Sequence, residues 1–342
     1  MRVRKKTKHI IIFRFSAIGD IAIGAPLLRA YAIANPDVRF TMVSQPMMKP
    51  LFAGIKNLEF YPVDFKGKYK GFKGLTRLFR NLMMIHPTHI ADLHNVTRTW
   101  VLRGYFFFTF KKIAFLHKGR AEKAKLTRRE DKKLIPLQSM LSRYESVLVK
   151  IGLENLNFSK MGIPVEYKFT ENPVKIGIAP FAKHKGKAWP FEYMEEVIAS
   201  LSDDKRFKVF LFGGGRDETA KLNALEQKYS GVESAAGKYS LSEELQILKE
   251  MDLVITMDSA NMHLASFVGT PVLSIWGATH PYIGFYGWNQ KWENALQLDM
   301  DCRPCSVFGS KECFRGDYAC MINIKPEMVL NKIYLTTSMS KQ

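Results

Sequence analysis

Met257-Asp258-Ser259-Ala260-Asn261-Met262-His263-Leu264-Ala265 is the stretch of sequence that decides the fold. The apolar run 253–256 before it predicts a buried strand, and a second apolar run, 272–276, follows after Gly269-Thr270-Pro271. The order strand, helix, strand is that of an α/β unit. In such a unit the turn after the first strand opens at the carboxyl edge of a parallel sheet, where α/β proteins bind ligands.

The turn itself suits a phosphate group. Asp258 and Ser259 are residue types that begin helices, and the backbone N–H groups behind them attract anions. The alternative interpretation is structural: an ordinary capped helix that carries one partly buried histidine, His263. The spacing alone leaves both interpretations open.

The same alternation of strands and helices extends over the chain. It begins with a strand at 9–15, and a second series begins with a strand at 175–180. Between them, 152–173 loses the periodicity and carries glycine and prolines, which is typical of a domain boundary. We therefore predict an α/β protein of two Rossmann-like domains with parallel sheets facing across a cleft. The predicted domains are residues 1–160 and 161–342, with a terminal helix that packs back on the first domain as one alternative.

Charge points to an anionic partner. The chain carries 51 Lys and Arg against 32 Asp and Glu, a net charge of +19. Such an excess of positive charge suits three kinds of partner: nucleic acid, anionic lipid headgroups and phosphorylated substrates. The basic residues follow no nucleic-acid-binding motif, so we expect no nucleic-acid partner.

Composition and segment lengths indicate a soluble protein. Hydrophobic residues make up 46% and charged residues 24%, as in globular domains. No apolar run reaches the roughly 20 residues that span a bilayer. The apolar run 10–13 after the basic start is too short for a signal peptide. We expect a cytoplasmic location.

The first strand-to-helix loop, Ser16-Ala17-Ile18-Gly19-Asp20, holds a candidate catalytic carboxylate. Gly19 permits a tight turn, and Asp20 then lies at the start of a helix. As a cap, Asp20 would only accept backbone N–H bonds. As a general base, it would take a proton from an attacking hydroxyl. Both roles remain open.

Two further loops follow predicted strands of the second domain. The stretch 181–190 contains three lysines and a glycine before Trp189-Pro190, which suits diphosphate binding or a charged solvent loop. The stretch Gly213-Gly214-Gly215-Arg216-Asp217-Glu218 allows close backbone approach to a ligand. Its spacing matches neither a dinucleotide fingerprint nor a Walker loop.

The run from Lys118 to Lys133 is dense in charge and nearly free of large apolar side chains. We expect an exposed loop or helix, not a core element. It is either a solvated surface segment or a binding site for an anionic acceptor. In the second case Arg120, Arg128 and Arg129 would grip phosphates through paired hydrogen bonds.

Two signals for a metal are weak. Asp299-Met300-Asp301 matches the short DxD pattern of metal-dependent sugar transferases, but follows no convincing buried strand. All four cysteines, Cys302, Cys305, Cys313 and Cys320, lie within nineteen residues. A structural zinc site is one interpretation, although paired CxxC spacing is absent. Reduced thiols that pack an irregular loop are the alternative, and we expect no cofactor.

Taken together, these stretches resemble glycosyltransferase family 9, the bacterial lipopolysaccharide heptosyltransferases. The likeness rests on 11–20, on Lys187-Ala188-Trp189-Pro190, on Asp258 to His263, and on Trp276-Gly277-Ala278-Thr279-His280-Pro281. It covers nearly the whole chain in order. The Asp258 block is its most specific part. Ala260 departs from the pattern, because the family usually has glycine there.

The resemblance implies a GT-B fold and inverting, metal-independent transfer from a nucleotide-diphosphate sugar, with ADP-heptose the expected donor. It makes Asp20 the general base. It implies that the donor is bound around Lys187, Asp258, Ser259, Ala260 and His263 of the second domain. Arg216 and Glu218 of the glycine loop are further candidate donor contacts. It implies a lipopolysaccharide core or lipid-linked acceptor, for which Arg98, Arg120 and Arg128 are the candidate contacts.

Two other classes of function compete with this one. A non-catalytic nucleotide-sugar or anionic-lipid binding protein could use the same scaffold. A Rossmann oxidoreductase is disfavoured because the dinucleotide fingerprint is missing. We further expect peripheral attachment to the anionic inner leaflet, because basic residues are concentrated at two places in the first domain. These are the run 118–133 and the start of the chain, with Arg2, Arg4, Lys5, Lys6 and Lys8.

Overall fold

The computed structural model describes residues 8–167, 169 and 173–339. The strands are β1 His9–Phe13, β2 Arg39–Ser44, β3 Leu58–Pro62, β4 His89–Asp92, β5 Lys112–Phe115, β6 Val174–Ala179, β7 Phe207–Leu211, β8 Val232–Ser234, β9 Leu253–Met257, β10 Val272–Trp276 and β11 Ala295–Gln297. The helices are α1 Ile18–Ala34, α2 Gly71–Met83, α3 Thr97–Phe107, α4 Arg120–Leu126, α5 Met140–Lys150, α6 Phe191–Asp203, α7 Arg216–Lys228, α8 Leu241–Lys249, α9 Ala260–Val268, α10 Ala319–Ile322 and α11 Pro326–Met339.

The chain divides into two compact units. The first contains the described residues up to Lys118 together with Met140–Met161, and the second contains Gly119–Ser139 and the described residues from Gly162 onward. The single boundary drawn at residue 160 on the sequence thus differs from the structure at one segment. Gly119–Ser139, assigned to the first domain on the sequence, groups with the second unit.

The first unit is built on a five-stranded parallel sheet of order β3-β2-β1-β4-β5. The central strand β1 is buried along its whole length, because all of its residues after His9 are apolar and both its edges are paired. Its core joins Ile11 and Phe13 to Leu78 of α2 and to Phe106 of α3. Strand order reverses between β1 and β4, which is where doubly wound sheets open to ligands.

The second unit repeats this plan with six parallel strands in the order β11-β10-β9-β6-β7-β8. Read from β6 outward, it has the strand order of a dinucleotide-binding Rossmann sheet, and the reversal lies between β6 and β9. The stretch that was expected to decide the fold is confirmed as the turn between β9 and α9. The C-terminal helix α11 packs on α6 through Val329 and Ile333, in the core of this second unit.

One sequence-based expectation about local structure was wrong. The run 118–133 is not wholly solvated: Lys123 of α4 is buried, with its ammonium 4.2 Å from the centre of the Phe285 ring. The prediction that Asp299-Met300-Asp301 follows no convincing buried strand is confirmed, because β11, which ends at Gln297, is only three residues long and half-buried. The four basic residues expected at the start of the chain, Arg2, Arg4, Lys5 and Lys6, lie outside the described residues. Within the described ranges no helix is long and apolar enough to cross a bilayer.

Candidate functional site

The strand reversal of the second unit carries an ion pair. Lys187 comes from the loop after β6, and Asp258 is the first residue after β9. The Lys187 ammonium lies 2.7 Å from the Asp258 carboxylate, and the two side chains are only 15% and 5% exposed. Because β6 and β9 are neighbouring strands, the fold brings together two charges that are 71 positions apart in sequence. The sequence analysis assigned both residues to donor binding but did not pair them.

Tight backbone packing fixes the loop that carries Lys187. Gly186 N–H donates to the carbonyl of Gly309 over 3.1 Å, and the Gly186 carbonyl accepts from Ala278 N–H over 2.8 Å. A Cβ at Gly186 would lie 2.8 Å from both the Gly309 oxygen and the Ala278 methyl. Only glycine fits there. Trp189 anchors the end of the loop, because its indole N–H donates to the Ile324 carbonyl over 2.9 Å.

The turn after β9 is built to begin a helix. Ser259 is the N-cap of α9: its hydroxyl oxygen accepts from Asn261 N–H over 3.3 Å and lies 2.9 Å from the Thr256 hydroxyl. Ala260 is the first helical residue and is half-buried. His263 lies one turn further on and is buried. The positive end of α9 therefore lies beside the Lys187 ammonium, which is an arrangement that favours a phosphate.

Arg216 and Glu218 lie at the carboxyl end of the neighbouring strand, β7. Arg216 is the exposed first residue of α7. Glu218 accepts from Gly214 N–H over 3.0 Å and so holds the glycine loop closed. The fold places both residues at the same sheet edge as the Lys187–Asp258 pair. Glu218 has a structural role that the sequence analysis missed.

In the first unit the strand reversal again carries an ion pair, Arg14 with Asp20. Arg14 follows β1, is 7% exposed, and donates through Nη1 to the Leu93 carbonyl after β4 over 2.9 Å. Asp20 lies in the first turn of α1 and is partly exposed. It does not cap the helix, because the N-cap residue is Ala17 and makes no side-chain cap bond.

No role was predicted for Arg14, which lies within the predicted strand 9–15. The sequence did contain a signal for one. Arg14 directly follows the apolar run of β1, and an arginine that is buried next to such a run needs a charged or hydrogen-bonding partner. Arg14 also lies 5.8 Å from the centre of the Tyr144 ring, and the Tyr144 hydroxyl donates to the Asp20 carbonyl over 3.4 Å. These contacts restrict where the Asp20 carboxylate can point.

A neutral histidine lies next to this pair. His94 follows β4, and its Nδ1 accepts from Phe15 N–H over 3.4 Å. Burial, helped by the nearby charge of Arg14, lowers the pKa of His94 to about 3. The imidazole is therefore uncharged at neutral pH. The adjacent Asp92 is fully buried and accepts the backbone N–H groups of His94 and Asn95, which fixes this loop.

The three arginines predicted to contact the acceptor do not belong to one unit. Arg98 lies in the first unit, exposed, 5.0 Å from the centre of the Phe65 ring. Arg120 and Arg128 belong to the segment that groups with the second unit, and both are exposed. Arg128 donates through Nε to the Asp131 carbonyl over 2.8 Å and lines a groove of about 370 Å³ with Lys125 and Lys133.

The four cysteines all line one small cavity, together with Arg303. Burial raises the pKa of the Cys320 thiol to about 11, and burial with the neighbouring thiols raises the pKa of Cys305. Arg303 is buried and donates to the Thr279 carbonyl over 3.1 Å and to the Gln297 side chain over 3.0 Å. Across the residues that the structure describes, no three His, Cys, Asp or Glu side chains are grouped to hold a metal ion.

Comparison with known proteins matches residues 111–313 to the model of glycosyltransferase family 9 (heptosyltransferase). Lipooligosaccharide heptosyltransferase 2 of Campylobacter jejuni is 26% identical over 189 residues, which are 52% of this chain and 58% of that protein. The chain thus spans little more than half the length of this relative. Lipopolysaccharide heptosyltransferase 3 of Escherichia coli is 21% identical over 276 residues, covering 76% and 81%.

A solved structure extends the likeness to the whole fold. The structure of E. coli ADP-heptose lps heptosyltransferase II superposes with a TM-score of 0.68 at 16% sequence identity, covering 98% of this chain and 100% of that one. The GT-B fold class, with its two parallel-stranded Rossmann-like sheets, is thereby confirmed. The family match covers more than half of the chain and includes both Lys187 and the Asp258 turn. This chain belongs to glycosyltransferase family 9, the heptosyltransferase family.

Proposed function

We propose that the protein transfers a heptosyl group from ADP-heptose to a lipopolysaccharide core acceptor. The observation that carries the proposal is the pair of charged groups at the two strand reversals. The second unit has a cation at a helix N-terminus, Lys187 beside α9, which suits a diphosphate. The first unit has a positioned, partly exposed carboxylate, Asp20. The sugar and the acceptor are supported by the relatives lipopolysaccharide heptosyltransferase 3 and ADP-heptose lps heptosyltransferase II.

The proposed chemistry is a single displacement that inverts the anomeric carbon. The acceptor hydroxyl oxygen attacks this carbon while its bond to the diphosphate oxygen breaks. The proton of the hydroxyl passes to the Asp20 carboxylate, which the ion pair with Arg14 orients. The negative charge that grows on the departing ADP is stabilised by Lys187 and by the N-terminus of α9.

In this proposal no metal ion takes part. Lys187 and the dipole of α9 supply the positive charge that a divalent cation supplies in other sugar transferases. We further propose a cytoplasmic enzyme, peripheral on the inner membrane, with Arg98, Arg120 and Arg128 as contacts for anionic parts of the acceptor. The exposure of all three side chains supports this assignment.

The test is transfer of heptose from ADP-heptose to a deacylated core acceptor. Asp20→Asn is expected to slow transfer by about 10²–10⁴-fold while donor affinity stays unchanged, because the change removes the base and leaves the donor-binding residues of the second unit intact. Asp37→Asn, also close to α1 but in an exposed turn, is the matched control. Full activity in excess EDTA is expected as well. Donor binding without any transfer by the parent protein would favour a non-catalytic binding protein instead.

A further inference from the structure

One layer of the first unit has an unusual surface charge. From Phe65 to Lys118, a span that the structure describes in full, the sequence contains eleven Lys and Arg and one carboxylate, Asp92. Asp92 is fully buried and pairs with Arg103 over 3.3 Å. The only negatively charged side chain of this span is thus buried. The surface of helices α2 and α3, which we call the α2/α3 face, presents only positive charge.

The same face exposes large apolar side chains. Phe107 and Phe108 are 70% and 80% exposed, with their ring centres 5.7 Å apart, and Phe110 is 98% exposed. Phe72 and Met84 of the α2 region are exposed as well. A water-facing surface rarely carries such a group of phenylalanines without a partner.

Helix geometry groups these exposed side chains on one side of each helix. Lys73, Arg77, Arg80 and Met84 are spaced at i, i+4, i+7 and i+11 and therefore share one side of α2. Trp100, Gly104, Phe107 and Phe108 share one side of α3 in the same way.

The two helices pack together and run in the same direction. The Thr76 and Tyr105 hydroxyls are 3.1 Å apart, and the ring centres of Phe79 and Phe106 are 5.0 Å apart. Both helices lead from one parallel strand back to the next, so their C-terminal ends lie at the same edge of the sheet. Met84 and the Phe107–Phe110 group therefore lie at the same end of the face.

We propose that the α2/α3 face docks on an anionic lipid bilayer, with the phenylalanine rings in the headgroup layer and the basic side chains against lipid phosphates. Basic residues together with exposed aromatic residues are typical of interfacial membrane binding. A second copy of the same face would bring like charges together. A nucleic acid would neutralise the lysines and arginines but leave the phenylalanines in water. This proposal extends the proposed function, because a lipid-linked acceptor is held in such a bilayer.

Co-sedimentation with vesicles of phosphatidylglycerol and phosphatidylcholine tests the apolar part. The double variant Phe108→Ser/Phe110→Ser is expected to weaken binding by about tenfold per ring, because each ring loses its place in the bilayer interface. Ile163→Ser, which removes a 78% exposed side chain of the second unit, is the matched control and should bind like the parent. Equal binding by the phenylalanine variant and the parent would overturn the proposal.

The basic part is tested in parallel. Arg77→Gln/Arg80→Gln is expected to lose about fivefold per charge, and 1 M salt or pure phosphatidylcholine should lower parent binding strongly. Lys205→Gln/Lys249→Gln, with two exposed lysines of the second unit, makes the same change of charge elsewhere. If that control variant loses as much binding as Arg77→Gln/Arg80→Gln, the attraction is non-specific and the proposal is wrong.

Two further measurements keep this inference separate from the proposed function. Transfer to a soluble deacylated acceptor should be unchanged in Phe108→Ser/Phe110→Ser, so loss of vesicle binding with normal transfer is the expected result. A parent protein without transfer that still binds vesicles through this face would fail only the proposed function. Analytical ultracentrifugation should show the same mass for variant and parent. A fall in mass would identify the face as a subunit interface and overturn the proposal.

Discussion

The Lys187–Asp258 pair gives the sharpest prediction about this chain. Lys187→Met keeps the length of the side chain but leaves the Asp258 carboxylate, which is 5% exposed, without its cation at 2.7 Å. Breaking a buried pair in this way costs about 3–5 kcal/mol. Because position 187 is 15% exposed, water can reach the carboxylate left behind, and we expect a cost of about 2–4 kcal/mol here. Asp258→Asn should cost less, since a lysine can keep part of its hydration.

The assay is a double-mutant cycle measured by urea unfolding, with ADP binding followed by calorimetry. Lys187→Met, Asp258→Asn and the double variant should show a coupling free energy well above 0.5 kcal/mol, the limit roughly expected for independent sites. Loss of the ammonium should also raise the Kd for ADP by about ten- to a hundredfold, which is the strength of a hydrogen bond to a charged group. Lys183→Met, in the same loop but exposed, is the control. Equal behaviour of Lys187→Met and Lys183→Met in both assays would refute the reasoning.

Two other changes probe the two units separately. Gly186→Ala should destabilise the protein by about 1–3 kcal/mol and weaken ADP binding, because the added methyl group would lie 2.8 Å from the Gly309 carbonyl oxygen. Gly214→Ala is the control, because a methyl group there would meet no atom within 4 Å. Equal unfolding curves for the two variants would contradict the packing argument. The lowered pKa of His94, about 3 against 6.5 when unfolded, means that unfolding takes up a proton, so stability should fall as pH drops from 6.5 toward 3. His94→Gln should reduce this slope by up to about 1.4 kcal/mol per pH unit, measured by urea unfolding between pH 6.5 and 4.5, and an unchanged slope would show that His94 is not responsible.

The elements of the second unit that carry the site were predictable from sequence. The apolar runs of β9 and β10 and the glycine that ends α9 are local signals, and they predicted the turn after Met257 correctly. The contact between Lys187 and Asp258 was not predictable in this way, because it depends on β6 and β9 being neighbours. Period and composition describe one segment at a time and carry no strand order.

The errors have physical causes of the same kind. Lys123 looked like a solvated residue because its neighbours are charged, but the Phe285 ring, far along the chain, covers its side chain. The strand β11, by contrast, is as weak as its sequence indicates: it is three residues long and half-buried, and it lacks the apolar run of a buried strand. Arg14 received no role because it lay inside the strand predicted at 9–15. Its partners, Asp20 and Leu93, become visible only in the folded unit.

The grouping of Gly119–Ser139 with the second unit has a consequence for synthesis on the ribosome. All residues of the first unit have been synthesised once Met161 has left the exit tunnel, so its sheet can form. At that point the segment 119–139 still lacks the residues of the second unit with which it groups. That segment must wait for Tyr282, whose carbonyl accepts from Leu137 N–H, and for Phe285, which covers Lys123. At typical ribosomal elongation rates the delay is roughly 6–25 s. During this interval a nascent-chain chaperone would meet α4 with Lys123 and Leu126, which are buried in the folded protein, still exposed.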